Sequence, residues 1–330
     1  MALPAHIADA PPQPWTGRFD GDGGEHRRWW QAVSPYAPGA PSSPLPAAAP
    51  ASPESGTVPR PAVILGFASD EGVRRNKGRT GAASAPAAIR TALGPLAFHL
   101  ERDVSDAGDV VVPDGGLEAG QARAGQAIAG MIDAGRLTVM LGGGHETAYA
   151  SYLGVAGSDA VRGGRRLGVL NLDAHFDLRD EPLPSSGTPF LQMARAEAAA
   201  GRDFRYAVVG ISEPNNTRAL FGTAGQLGVK YVLDEDCSNG RVQSFIAEFL
   251  DSVDVLYLTI DLDVLPASVA PGVSAPAAYG VPLPVITAAC RQVAESGKLL
   301  HLDVAELNPR FDIDGRTARV AARLLNTLLR

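Results

Sequence analysis

Only two cysteines, Cys237 and Cys290, occur in 330 residues. That is too few for a disulfide framework and argues against a thiolate-based metal site. Positive charge is also scarce: 29 Lys and Arg against 36 Asp and Glu leave a net charge of −7, which excludes the basic footprint that nucleic acid or an anionic membrane requires. No apolar run is long enough to span a bilayer, and Met1-Ala-Leu-Pro lacks the basic-then-apolar pattern of a secretion signal. These absences point to a cytoplasmic protein that binds a small molecule, with no nucleic-acid or membrane partner. What the chain has in quantity is hydrophobic residues, 45% of the total, enough for a large core.

Residues 1–60 read as a Pro/Ala-rich extension and linker, with proline densest over residues 37–61. Within it, residues 15–20 and 25–30 carry Trp15, Phe19, Trp29 and Trp30, so part of the extension is expected to dock on the body. Residues 61–330 are expected to form one domain. Apolar or β-branched runs at residues 62–66, 109–112, 137–141, 167–171, 206–210, 229–233, 255–260 and 299–304 alternate with Ala-rich stretches of helical spacing. Eight strands joined by helices imply parallel crossovers, and continuous apolar runs imply strands covered on both faces. The fold class is therefore α/β, a three-layer α/β/α sandwich whose function lies at the carboxyl ends of the strands.

Four motifs sit at such ends. Asn171-Leu172-Asp173-Ala174-His175-Phe176-Asp177 places acid, imidazole and acid at alternate positions, which on an extended chain share one side. Carboxylates mixed with imidazole suit Mn(II), Fe(II) or Zn(II). Leu141-Gly142-Gly143-Gly144-His145-Glu146 is a strand running into a tight glycine turn and a histidine, without the Lys-Ser/Thr of a phosphate loop. Leu258-Thr259-Ile260-Asp261-Leu262-Asp263 ends a third strand in two acids whose repulsion a divalent ion would relieve. Asp303-Val304-Ala305-Glu306-Leu307-Asn308-Pro309 ends a fourth, where Glu306 is either a salt-bridge partner or an acceptor for a cationic amidine.

The ordered set G-G-G-H-E, N-L-D-A-H-F-D, T-I-D-L-D-V-L-P and A-E-L-N-P resembles the ureohydrolase family of arginases, agmatinases and formimidoylglutamases. The resemblance runs across most of residues 62–330 and implies an eight-stranded parallel sheet, a frequent assembly into trimers and hexamers, and two Mn2+ ions per subunit. It implies six metal ligands: Asp173 and Asp261 bridging, His145 and Asp177 completing one site, His175 and Asp263 the other. Two ions would lower the pKa of a bridging water to give a nucleophile at neutral pH. The resemblance further gives Glu306 the substrate's N–H groups and Asp177 the proton for the leaving nitrogen.

The loop Pro184-Ser185-Ser186-Gly187-Thr188-Pro189-Phe190 lacks the histidine of the arginase and agmatinase branches and is similar to the formimidoylglutamase branch. So are residues 66–82 and 311–319. The expected reaction is hydrolysis of N-formimidoyl-L-glutamate to L-glutamate and formamide, in histidine breakdown. A substrate with two carboxylates calls for fixed cations, and Arg74, Arg75 and Arg79 supply them after the first body strand. Thr188 and Asn216 are further candidate contacts, Asn216 having helix capping as its alternative role. The competing readings are a guanidino-acid hydrolase or agmatinase, and a metal-binding member without turnover.

Overall fold

The computed structural model describes residues 7–39, 59–113 and 115–330. Helix α1 (Trp29–Ala32) and strand β1 (Ser34–Pro35) belong to the extension. The body follows as β2 (Ala62–Ala68), α2 (Glu71–Arg75), α3 (Ala85–Leu93), β3 (Val104–Val111), α4 (Leu117–Asp133), β4 (Leu137–Leu141), α5 (Thr147–Ala156), α6 (Asp159–Arg162) and β5 (Leu167–Leu172). It continues through α7 (Pro189–Ala199), β6 (Tyr206–Ile211), α8 (Arg218–Gln226), β7 (Lys230–Leu233), α9 (Asn239–Asp251), β8 (Val255–Asp261), α10 (Leu283–Glu295), β9 (Leu299–Ala305) and α11 (Arg316–Leu328). Most of the linker, residues 40–58, lies outside the described residues. No helix among those described is long and apolar enough to cross a membrane.

All pairings between named strands are parallel, in the order β1-β3-β2-β4-β9-β8-β5-β6-β7. Side chains alternate across the sheet: Ala62 and Ile64 of β2 join a core with α3, α9, α10 and α11, while Val63, Leu65 and Phe67 join a second core with α4, α5 and α7. Burial on both faces is the arrangement that continuous apolar runs require. The eight strands expected from the sequence are β2 to β9. The ninth, β1, is a two-residue Ser-Pro edge strand paired with β3, too short and too polar to leave a periodic signal.

The extension lies along the body. Trp29 is fully buried, stacks near Trp15 with ring centroids 6.4 Å apart, meets Phe98 edge-on and donates from Nε1 to Asn326 at 3.0 Å. Trp15 Nε1 donates to Asp106 Oδ2 at 2.9 Å, a carboxylate also held by buried Arg90.

Candidate metal centre

The three-glycine turn after β4 is needed because three chain segments meet there. A Cβ on Gly143 would collide with the Ser69 carbonyl beyond β2. Gly143 also accepts the Glu306 N–H beyond β9 at 2.8 Å, while Gly144 donates to Ser69 at 3.1 Å. This packing delivers His145, 1% exposed, into the centre of the carboxyl edge.

The comb at residues 173–177 does not continue as an extended strand. β5 stops at Leu172, the His175 N–H turns back to Asp173 Oδ1 at 2.6 Å, and Asp177 takes a left-handed backbone at φ +47°. The bend divides the comb: Asp177 Oδ2 lies 2.9 Å from His145 Nδ1, while His175 Nδ1 lies 3.0 Å from Asp263 Oδ2. After β8, the Asp263 N–H donates to Asp261 Oδ1 at 2.8 Å, which opens a short turn and brings both acids inward.

Two ligand groups result. His145, Asp173, Asp177 and Asp261 form one; Asp173, His175 and Asp263 form the other; in each, one donor atom per residue lies within 4.8 Å of the rest. Asp173 is common to both, whereas Asp261, expected to bridge, falls in the first group only. His145 Nδ1 faces Asp173, Asp177 and Asp261 at 3.1, 2.9 and 3.2 Å. Burial alone would drive the proton off this imidazole, yet the three carboxylates hold its pKa well above the usual value. Burial and mutual repulsion push Asp177, Asp261 and Asp263 upward. Without metal the cluster's only positive charge is on the two imidazoles, His145 and His175; as metal ligands these are neutral, and two divalent cations would then balance the four carboxylates, so the donor set fits the implied metals.

Glu306 follows β9 with φ +69°; its Oε1 accepts the His145 N–H at 2.8 Å, and its Oε2 is buried without a hydrogen-bond partner. Burial and neighbouring Glu146 raise its pKa to about 8. A buried acceptor oxygen lacking a donor suits an N–H-bearing cation.

The candidate substrate contacts have protein partners. Arg74 donates to Glu71 at 2.6 and 2.7 Å; Arg75 bonds Glu71 at 2.9 Å and Glu118 at 2.6 Å. Arg79 bonds the carbonyls of Val273 and Ser274 and lies over the Phe311 ring at 4.1 Å. Thr188, before α7, is engaged with Ser185 and Gln192. Asn216 clamps the comb: Nδ2 donates to Ala174 O and Ser212 O at 2.9 Å, and Oδ1 accepts from Phe176 N at 3.1 Å. Sequence reasoning missed Glu146, whose Oε1 accepts from Ser69 Oγ at 2.8 Å and Gly72 N at 3.0 Å, tying the β2 loop to the histidine turn. Its only signal was an acid beside His145.

A model of the arginase family matches residues 60–330. A formimidoylglutamase of Nocardia farcinica is 55% identical over 315 residues, 96% of this chain and 95% of that protein. Among solved structures, formimidoylglutamase from Bacillus subtilis superposes with a TM-score of 0.73 at 22% identity, covering 83% of this chain and 88% of that one. Trypanosoma cruzi formiminoglutamase with Mn2+ gives 0.73 at 24% identity, covering 81% and 92%.

Proposed function

This chain belongs to the arginase family, and on that premise we propose that it hydrolyses N-formimidoyl-L-glutamate to L-glutamate and formamide in L-histidine degradation. The near-full-length likeness to proteins named formimidoylglutamase carries the substrate assignment. The orphaned Glu306 Oε2 beside the ligand cluster supports the amidine chemistry.

In this reading His145, Asp173, Asp177 and Asp261 would hold one manganese ion, and Asp173, His175 and Asp263 the other, with Asp173 common to the two groups. When bound, two such ions supply a water acidic enough to be hydroxide near neutral pH. Glu306 Oε2 accepts an N–H of the cationic formimidoyl group and keeps it charged, which leaves its carbon electrophilic. Water adds at that carbon, the C–N bond to the glutamate nitrogen breaks, and that nitrogen leaves with a proton. Asp177, the most exposed of the four cluster carboxylates at 13%, carries that proton in this reading. Arg79 and its neighbours Arg74 and Arg75 supply positive charge for the two substrate carboxylates, and Thr188 and Asn216 shape the loops around them. We place the reaction in the cytoplasm, in keeping with two buried thiols, Cys237 and Cys290, that burial pushes up to about 12.

Product identification tests the proposal. Formamide and glutamate should form from formimidoylglutamate, with no urea from arginine, agmatine or guanidinobutyrate. Urea from any of these with inactivity on formimidoylglutamate overturns it; ammonia with formylglutamate would assign a different bond. Glu306→Gln should lower kcat/KM about 100-fold or more, as for a lost charge-assisted contact to the reacting group.

A further inference from the structure

Beneath α5 the two central strands carry polar side chains where a core would be apolar. Tyr257, Thr259 and Asp261 alternate along β8, His301 and Asp303 along β9, and Thr259 pairs with Asp303 across the ladder. Asp303 is fully buried and meets three hydroxyls: Ser151 Oγ at 2.6 Å and Tyr257 Oη at 2.5 Å on Oδ2, Thr259 Oγ1 at 2.6 Å on Oδ1. Thr259 Oγ1 also lies 3.0 Å from His145 Nε2.

A hydroxyl has one hydrogen and an ionised carboxylate only accepts. Thr259 gives its hydrogen to Asp303, so towards His145 its oxygen can only accept, and the hydrogen in that contact belongs to Nε2. We infer that Thr259 and Asp303 are positioning residues that keep the hydrogen of His145 on Nε2 and aim Nδ1 between the three carboxylates of the first ligand group, so that Nδ1 is the nitrogen left to give its lone pair to an ion. Ser151 and Tyr257 hold Asp303 in the accepting state. No such chain is described behind His175, whose side chain is 22% exposed.

The inference rests on the metal reading of the cluster and not on the substrate, so manganese affinity responds whether or not formimidoylglutamate is turned over. The test is titration of metal-depleted protein with Mn(II), following free Mn(II) by its electron paramagnetic resonance signal. In Thr259→Val one class of ion should weaken about 10- to 100-fold, the usual cost of losing an outer partner of a ligating histidine. The other class should keep its affinity, and Thr259→Ser should restore the first. Asp303→Asn should weaken the same class at least as much, because its amide can donate to Thr259, turn that hydroxyl towards Nε2 and place the histidine hydrogen on Nδ1. Thr138→Val removes a buried threonine hydroxyl of β4 that meets His301 instead of Asp303 or His145 and serves as the packing control. Its metal-free melting temperature should fall as that of Thr259→Val does while its manganese binding stays near wild type.

Wild-type affinity for both ions in Thr259→Val overturns the inference, as does a Thr259→Ser variant that binds no better than the valine variant. Should the valine variant fail to fold, Asp303→Asn decides: unchanged binding of both ions overturns the inference, and selective loss of one class upholds it. Two intact ion classes without turnover of formimidoylglutamate would count against the proposed substrate and leave this inference standing.

Discussion

Asp177 and Glu306 follow different strands, and both approach His145 from a left-handed backbone. Asp177, at φ +47°, meets Nδ1, and Glu306, at φ +69°, meets the backbone N–H. Such conformations cost about 1–3 kcal/mol each outside glycine and persist where surrounding packing imposes them. In both cases the backbone turns a carboxylate inward at the point where its strand has ended.

Asp177→Asn keeps a residue that tolerates this backbone and removes the acid. Activity should fall about 10²- to 10⁴-fold, the range for a lost proton-transfer group. The metal-free melting temperature should stay near wild type. A variant retaining full activity would remove Asp177 from the proton path.

Arg79→Ala should raise KM about 10- to 100-fold with kcat less affected, the worth of one charge-assisted contact to a substrate carboxylate. Arg75 is held by Glu71 and Glu118, so Arg75→Ala should lower stability more than it raises KM. Steady-state kinetics with unchanged KM in the Arg74→Ala, Arg75→Ala and Arg79→Ala variants would end the idea of an arginine clamp.

His301 gives the protein a predictable weakness in acid. It is fully buried, its Nδ1 lies 2.7 Å from Thr138 Oγ1, its Nε2 has no hydrogen-bond partner, and burial pushes its pKa down to about 3. The groups facing it are Asp303, 4.0 Å from Nε2, and the Tyr257 ring. Between about pH 6.5 and that value the unfolded chain takes up a proton that the folded one refuses, so stability falls as pH drops, by about 1.4 kcal/mol per unit. Denaturant titrations of metal-depleted protein at several pH values should show a shallower dependence in His301→Asn, by about one proton. An unaltered slope would contradict the assignment.

Trp29→Ala tests whether the extension belongs to the folded body, as we propose. Emptying a fully buried indole site should cost about 3–5 kcal/mol and lower the melting temperature in a single transition. A melting curve unchanged from wild type would make the extension an appendage.

Much of the site was legible because its residues follow strand ends, where a run of apolar residues gives way to acids and histidines within a few positions. The comb, the Gly-His turn and the D-x-D pair could be read locally, and the structure brings their side chains together. The bend that divides the comb could not, because it depends on Asn216 reaching Ala174 and Phe176 from the loop after β6. The pairing of Thr259 with Asp303 was also hidden: the two lie on strands separated by a whole helix, and only the ladder register sets them opposite each other. β1 escaped because its two residues gain order from β3 alone. The cationic loop was visible, but its partner Glu118 begins a helix far along the chain.

The strand order has a consequence for when the centre can form in the cell. Asp173, His175, Asp177, Asp261 and Asp263 ride on the adjacent strands β5 and β8, while His145 follows β4, and β9 lies between those two parts. β9 comes after every ligand along the chain, so a nascent chain exposes every ligand before the strand that aligns them is available. Metal capture at a complete site therefore waits until β9 has been made and has paired between β4 and β8.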